Sequence, residues 1–255
     1  MLIDTSAYIG AWPFGHLPAR SAAELGRHLR SHGIARALVS HLGAVFAPDP
    51  MPANRTLFAE TRRRPALVPV PILNPALAVW SEHLDECCRL APALRAVRIA
   101  PGYHDFQLDS LRVSALCAAL QERRVRLIVN VRFVDLRLDY FALKIQSAGE
   151  SALHDFLRAH PRLQPLLSGL TLAELRTLQR LGGRFVADIP FVEWLYSIES
   201  LVAQGAQTRL MFGSQTPFFV TQANIAKLES ALIPASARHA IGWRNAARFF
   251  SLPGA

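Results

Sequence analysis

The pattern of apolar and polar positions along the chain predicts short buried strands that alternate with amphipathic helices. Several apolar runs end at glycine, proline or small polar residues, which is typical of strands buried on both faces. Between them, apolar residues recur at helical spacing, and two Ser/Thr-x-x-Glu sequences match capping boxes. The predicted strands are the run that begins at residue 2 and leaves the sheet before residue 14, then 36–42, 67–74, 94–100, 125–133, 163–167, 184–189 and 208–213. The predicted helices cover 22–31, 54–63, 76–90, 111–123, 151–159, 171–181, 193–204, 222–232 and 243–250.

Eight strand–helix units in succession require a parallel sheet and match the number in a closed barrel. The pattern therefore predicts an α/β protein with a (β/α)8 TIM barrel, with room for distortion, as a single domain over residues 1–255. A doubly wound open sheet is the alternative. Pro69 and Pro71 count against a central strand at 67–74, because each removes a ladder donor. The irregular stretch 134–150 is interpreted as an excursion over the barrel mouth.

Composition and charge narrow the class of protein. The 255 residues are 51% hydrophobic and 18% charged, which is a globular composition. The formal net charge is +9, carried almost entirely by scattered arginines rather than by a compact basic motif with interleaved aromatic residues. We therefore expect a solvated basic surface and no nucleic-acid partner, although a salt-dependent nucleic-acid binder is kept as the last-ranked hypothesis.

The three cysteines and the absence of a targeting pattern suggest a cytoplasmic protein. Cys87, Cys88 and Cys117 are odd in number and have no paired spacing, so buried reduced thiols are expected. No apolar run approaches the length of a membrane span, and the N-terminus lacks the pattern of a signal peptide. The sequence thus predicts cytoplasmic localisation without a membrane partner. A homodimer is the favoured assembly, although no particular residue requires it.

Four motifs, in order along the chain, resemble the amidohydrolase-related family of metal-dependent TIM-barrel hydrolases. The first strand of that family reads Ile-Asp-x-His-x-His-Ile-Gly, and residues 3–10 of this chain read IDTSAYIG. Residues 94–104 (LRAVRIAPGYH) resemble its fourth strand and turn, and residues 210–218 (LMFGSQTPF) resemble its Phe-Gly-Ser-Asp-x-Pro-Phe. Residues 242–250 (GWRNAARFF) resemble its closing helix. The resemblance implies a barrel, a hydrolase ancestry and a divalent metal cofactor.

The residues at the metal-ligand positions depart from the family pattern. The resemblance implies histidines where this chain has neutral side chains, and an aspartate general base where it has Gln215, which cannot accept a proton. Hydrolytic zinc sites use at least three strong ligands. The sequence therefore predicts no metal at the usual site and no other cofactor. The replaced positions are Ser6, Tyr8, Asn130, Ser168 and Gln215.

The same positions are predicted to line a pocket at the carboxyl ends of the strands, where TIM barrels have their sites. Arg98 and Arg132 would bind the carboxylate of an anionic ligand, and Asp188 would lie beside them. Two alternatives stay open: the polar side chains satisfy one another beneath the loops, and Arg98 forms an internal salt bridge with Asp188 or Asp4. His104 and His41 are the candidate acid–base residues.

Two functions follow from these expectations. One is a metal-independent hydrolase or decarboxylase of a small organic acid or a cyclic amide or lactone, with His104 or His41 as the base. The alternative is a catalytically inactive barrel, a pseudoenzyme, that binds a small anionic ligand or a protein partner. The two differ in that only the first turns its ligand over.

Overall fold

The computed structural model describes residues 1–18, 20–135 and 145–252. Within these ranges eight strands follow one another in the order expected from the sequence. The first two strands have eight residues each, and the last has two. The strands are β1 (Leu2–Ile9), β2 (Ile34–His41), β3 (Leu67–Pro69), β4 (Ala96–Ile99), β5 (Arg126–Asn130), β6 (Leu166–Ser168), β7 (Val186–Asp188) and β8 (Leu210–Met211).

The strands form two parallel sheets that are joined at both edges into a barrel. One sheet has the order β1-β2-β3 and the other β4-β5-β6-β7-β8. A parallel bridge between Ile72 and Arg98 joins β3 to β4 beyond the prolines, and a bridge between Ala7 and Thr216 joins the last strand to the first. The amide of Tyr8 also donates to the Thr216 carbonyl at 2.8 Å. The predicted (β/α)8 TIM barrel is confirmed.

The connecting helices lie outside the strands. Ser21 and Thr171 cap two of them in complete capping boxes with Glu24 and Glu174, as the sequence predicts. No helix in the described ranges is long and apolar enough to cross a bilayer. The helices are α1 (Ala22–Ser31), α2 (Gly43–Phe46), α3 (Met51–Thr61), α4 (Trp80–Leu90), α5 (Pro101–His104), α6 (Leu111–Glu122), α7 (Glu150–Ala159), α8 (Leu172–Leu181), α9 (Ser197–Ala203), α10 (Thr221–Glu229), α11 (Ala235–His239) and α12 (Asn245–Phe249), with short 3₁₀ and π turns at Ala206–Thr208 and Ala240–Arg244.

Several predicted boundaries differ from the structure for local physical reasons. The third strand ends at Pro69 instead of residue 74, because Pro69 and Pro71 cannot donate to a ladder. Helices α4 and α9 begin four residues later than predicted. The expected helix 243–250 is preceded by a π turn at Ala240–Arg244. Most of the expected excursion at 134–150 lies outside the described residues.

The barrel interior is built in layers of side chains. One fully apolar ring takes a single residue from each strand or its direct extension, and all eight are at most 4% exposed. Phe249 and Phe250 close this ring at the amino-terminal end of the barrel. Because side chains on one face of a strand repeat every second residue, the residue two positions after each ring member points into the next layer. The ring consists of Ile3, Leu38, Val70, Ala96, Ile128, Leu166, Val186 and Met211.

Gly213 follows the ring member Met211 by two residues and lies in this next layer, which is tightly packed around it. A methyl group added at Gly213 would lie 2.4 Å from Ser6 Oγ and 3.1 Å from Asp188 Cβ. Gly213→Ala is therefore expected to force these strand ends apart and to lower the free energy of unfolding by about 1–3 kcal/mol, measured by urea denaturation.

Gly26→Ala is the matched control for this substitution. Gly26 lies within α1, and an added methyl group would meet only the end of the Arg30 side chain at 3.5 Å. It should leave stability unchanged or raise it by about 0.5–1 kcal/mol, because alanine is the better helix former. Equal stability of the two variants would contradict the tight packing at Gly213.

Candidate active site

A polar layer lies directly above the apolar ring, at the carboxyl ends of the strands. Arg98, Asn130, Ser168 and Asp188 each follow a ring member by two residues, and each is 0% exposed. The structure therefore brings together four of the ten predicted site residues by strand register alone. Ser6, Tyr8 and Gln215 join them from β1 and from the turn after β8, and all three are also 0% exposed.

Arg98 lies at the centre of this layer, with neutral partners. Its Nη1 donates to the Tyr8 hydroxyl at 2.5 Å and to Asn130 Oδ1, and Nη2 donates to the Thr5 carbonyl at 3.3 Å. The Tyr8 hydroxyl in turn donates to Asn130 Oδ1 at 3.2 Å. No direct ion pair with Arg98 is found within the described residues, so the expected salt bridge to Asp188 or Asp4 is not formed as a contact. The Nε atom of Arg98 is buried without a hydrogen-bond partner.

Asp188 holds the neighbouring strand end together. Ser168 Oγ donates to Asp188 Oδ2 at 2.6 Å, and the Gly169 amide donates to Oδ1 at 3.0 Å. Burial, together with the nearby Asp4 charge, raises the pKa of Asp188 to about 6, although these hydrogen bonds and the Arg98 charge favour the ionised form. A buried carboxyl with a pKa near neutrality can exchange a proton under physiological conditions.

Asp4 connects the first strand to the last. Its Oδ1 accepts from the amides of Ser6 at 3.0 Å and Ser214 at 2.9 Å, and its Oδ2 accepts from Ser214 Oγ at 2.5 Å. Burial raises the pKa of this carboxyl against the opposing effect of those hydrogen bonds. Asp4 is therefore both a closure contact of the barrel and a second buried titratable group beside Arg98.

Gln215 has a strained backbone in this layer. Its φ of 56° lies in the left-handed region, which non-glycine residues rarely adopt. The side-chain Nε2 donates to the Phe133 carbonyl at 2.7 Å, and Oε1 is buried without a hydrogen-bond partner. With this backbone conformation the Gln215 side chain reaches the Phe133 backbone beneath the aromatic residues of the barrel mouth.

Arg132 is held differently from Arg98. It forms a two-pronged ion pair with Glu174, with nitrogen–oxygen distances of 2.5 and 2.6 Å, and also donates to the Gly169 carbonyl. Glu174 thereby neutralises the charge of Arg132, whereas all hydrogen-bond partners of Arg98 are neutral.

Aromatic rings cover the polar layer. Tyr8 packs edge to face on Phe133 and Phe218, with ring centroids 5.3 and 5.8 Å apart. Trp12 lies over Phe218 at 4.8 Å and next to Phe46 at 5.1 Å. The rings form an apolar wall of the kind that packs against a cyclic ligand.

The two candidate histidines lie at the edge of this arrangement. His104 Nε2 lies 3.1 Å from the Ala44 carbonyl, and burial lowers the pKa of its imidazole. His41 Nδ1 accepts from the Gly43 amide at 3.0 Å, and its ring packs against Gly10. Burial lowers the pKa of His41 as well. No hydrogen bond joins either histidine to Arg98 within the described part of the chain.

Lys227 and Ser214 are residues of the site region that sequence reasoning did not select. Lys227 Nζ donates to the carbonyls of Ile189 and Pro190 and to Asn224 Oδ1, all at 3.0 Å. Burial lowers the pKa of Lys227 to about 8. That Lys227 is one of only two lysines in the chain was the available signal, but its burial depends on the contact of α10 with the segment that follows β7.

Comparison with known proteins yields similarity at the level of structure. No protein-family profile matches the sequence, and no curated protein is significantly similar to it. Solved TIM-barrel structures match over nearly the whole chain. The chain shares its fold with decarboxylases. The 5-carboxyvanillate decarboxylase from Sphingomonas paucimobilis superimposes with a TM-score of 0.76 at 15% identity, covering 98% of this chain and 99% of that one.

Two further structures have the same fold. A dihydroxybenzoic acid decarboxylase from Polaromonas sp. JS666, with bound manganese and the inhibitor 2-nitroresorcinol, has a TM-score of 0.73 at 15% identity and covers 100% and 98% of the two chains. A candidate 2-pyrone-4,6-dicarboxylic acid hydrolase from Acinetobacter baumannii, with bound citric acid, has a TM-score of 0.68 at 10% identity, covering 98% and 99%. The expected resemblance is confirmed for the fold.

The polar layer of this chain does not fit a divalent metal. The side chains at the expected ligand positions are neutral hydroxyls and amides, which are weak ligands compared with histidine and carboxylate. The guanidinium of Arg98 contacts two of them, Tyr8 and Asn130, so a second cation there would be repelled. No group of three or more histidine, cysteine, aspartate or glutamate side chains able to hold a metal occurs among the residues that the structure describes.

The raised pKa of Asp188 predicts a specific pH dependence of stability. Between the ordinary value of 3.8 and the folded value of about 6, the folded chain binds this proton more tightly than the unfolded chain. Asp188 therefore stabilises the fold increasingly as the pH falls through this window, and its ionised form is destabilising above it. Asp188→Asn should remove this contribution, on the order of 3 kcal/mol.

The measurement is the free energy of unfolding in urea from pH 4 to pH 7 for the wild type and Asp188→Asn. The difference between the two curves should change steeply between pH 4 and 6, with the wild type gaining relative stability as the pH falls. Glu174→Gln is the control: because the pKa of this carboxyl is lowered from its ordinary value of 4.5, its difference from the wild type should stay flat from pH 7 down to about 4.5 and change in the opposite direction only below that. A flat difference for Asp188→Asn would contradict the raised pKa.

Proposed function

We propose that this protein acts on a small cyclic organic acid as a decarboxylase or hydrolase, and that it does so without a divalent metal. The observation that carries the proposal is the buried guanidinium of Arg98 at the centre of the polar layer, bonded only to neutral groups. An arginine supplies a permanent positive charge that can bind a carboxylate and stabilise negative charge that develops during reaction.

The ligand class follows from the two surfaces that meet at the barrel mouth. The rings of Tyr8, Trp12, Phe133 and Phe218 favour a flat, apolar ring. The unpartnered Nε of Arg98 is a donor for an oxyanion, and the unpartnered Oε1 of Gln215 is an acceptor for a hydroxyl. A hydroxylated aromatic carboxylic acid or a cyclic lactone acid presents these groups. The structurally similar enzymes are named for hydroxylated benzoates and a pyrone dicarboxylate.

Asp188 is the proposed proton donor and acceptor. Its pKa of about 6 suits a group that must be protonated in one step and ionised in another. Decarboxylation leaves an electron pair on carbon that must receive a proton, and hydrolysis needs a base to deprotonate water. His104 and His41 are the alternative acid–base residues, at positions bordering β1, β2 and α2.

A catalytically inactive binding protein is the second candidate. It is favoured by the extent to which the polar layer is satisfied internally: the strand-end side chains are fully buried and most of their polar atoms are bonded to one another. Such a pseudoenzyme would bind a small anionic ligand or a protein partner. Turnover of a bound acid separates the two functions.

The first prediction from this proposal concerns ligand binding. Arg98→Met should weaken the affinity for hydroxybenzoates about 30-fold, since a buried charge-assisted contact is lost. Arg98→Lys should retain part of the affinity because it keeps the charge. Isothermal titration calorimetry measures both, after circular dichroism has shown that each variant folds.

Arg126→Gln is the matched control for Arg98. Arg126 packs on Phe249 at the opposite, amino-terminal end of the barrel, so its replacement should leave the affinity unchanged. If Arg126→Gln and Arg98→Met weaken binding equally, the ligand is attracted by general surface charge and Arg98 has no particular role.

The second prediction concerns metal. Protein purified gently and protein treated with EDTA should release carbon dioxide from hydroxybenzoates, or open a pyrone ring, at the same rate. Added Mn²⁺ should not raise that rate. A stoichiometric metal in the purified protein, or activity that appears only with Mn²⁺, would refute metal independence. Binding without any turnover would favour the pseudoenzyme.

A further inference from the structure

A continuous line of hydrogen bonds runs from the barrel interior to its outer surface. Ser214 Oγ lies 2.5 Å from Asp4 Oδ2 and 2.7 Å from Thr216 Oγ1. Thr216 Oγ1 lies 2.5 Å from Thr221 Oγ1, and Thr221 Oγ1 lies 2.7 Å from His28 Nε2. Each link is within the range of a good hydrogen bond.

The chemical types along this line are those that can pass a proton. A hydroxyl group donates on one side and accepts on the other, so consecutive hydroxyls can shift protons in one direction along the chain. The two ends, Asp4 and His28, are titratable. Asp4 is 0% exposed, whereas His28 is partly exposed on α1.

We propose that Ser214, Thr216 and Thr221 form a proton path between His28 at the surface and Asp4 in the polar layer. In the inward direction His28, as an imidazolium, gives its Nε2 proton to Thr221. Thr221 gives its own proton to Thr216, Thr216 gives one to Ser214, and Ser214 gives one to Asp4. The products are a neutral imidazole and a protonated carboxyl, so one proton has moved inward and no other reactant is consumed.

The Asp4 carboxylate sets the direction of the hydroxyl hydrogen bonds along this path. The Asp4 carboxylate can only accept, which requires Ser214 to donate to it. Ser214 can then accept from Thr216, and Thr216 from Thr221. His28 completes the line with an Nε2–H donor. After transfer, all three hydroxyls point outward, and their rotation resets the path.

The charged groups around the two ends support a proton exchange at this place. Asp4 is faced by the Arg98 charge from β4 and by Asp188 from β7. His28 is faced by His32, the residue that follows the last residue of α1, whose ring lies 4.3 Å away. Burial lowers the pKa of His28, and the neighbouring His32 imidazole lowers it further, so a proton on His28 is readily given up.

This path goes beyond the proposed function, because it concerns how a closed layer exchanges protons with solvent. It is a property of the folded chain and can be measured without substrate. Ser214, Thr216 and Thr221 are positioning residues in this scheme, since they act through Asp4. A purely structural role for their hydroxyls would predict no effect on the rate at which Asp4 is protonated.

The test is time-resolved infrared spectroscopy after a rapid drop in pH. The carbonyl band of a protonated, buried carboxyl is followed in the full-length protein. Asp188 is the other fully buried aspartate of the polar layer, so the band is assigned to Asp4 in an Asp188→Asn background and by its loss in Asp4→Asn. If Asp4→Asn does not fold, the Asp188→Asn background alone makes the assignment.

Thr221→Val should slow the appearance of this band about 100-fold, because it removes a hydroxyl without changing the side-chain volume. Thr221→Ser, which restores the hydroxyl, should return the rate to that of the wild type. His28→Gln should also slow it, whereas His32→Gln should not. A wild-type rate in Thr221→Val would overturn the proposal, as would equal slowing by the valine and serine variants.

Discussion

A single buried arginine is the constraint on which the rest of the barrel interior depends. Removing a guanidinium from water is costly unless its donors are satisfied, and Arg98 is 0% exposed. The barrel satisfies its terminal nitrogens with Tyr8, Asn130 and the Thr5 carbonyl, all neutral acceptors. These neutral oxygens can accept from a guanidinium, whereas the same groups are weak ligands for a divalent metal.

Strand register explains why these residues meet. Ala96 and Ile128 belong to the apolar ring, so Arg98 and Asn130, two residues further on, must enter the same layer. The same step takes Val186 to Asp188. A one-residue slip in β4 or β7 would point the charged side chain of Arg98 or Asp188 towards the helices instead of the barrel axis. The apolar ring thus fixes the positions of the polar groups above it.

The fold could be predicted from the sequence, whereas the hydrogen bonds and ion pairs between the site residues could be predicted only in part. Alternating apolar runs and helices sufficed for eight parallel strands, and the capping boxes at Ser21 and Thr171 marked two helices correctly. The neutral side chains at Ser6 and Gln215 were recognisable from the family pattern. The pairing of Arg132 with Glu174 was not recognisable, because Glu174 was already explained as a capping residue. The contact of Thr221 with His28 joins residues 193 positions apart and depends on barrel closure.

The contact between the first and last strands explains how a covered polar layer can still exchange protons with solvent. The rings of Trp12 and Phe218 lie over the polar layer and cover it at the barrel mouth, where Arg98 is 0% exposed. Bulk water cannot serve as proton donor in a layer that is 0% exposed. The hydroxyls of Ser214, Thr216 and Thr221 lie on the seam where β8 meets β1, so they connect Asp4 with the outside through the wall rather than through the mouth. A closed mouth and an exchangeable proton are compatible for this reason.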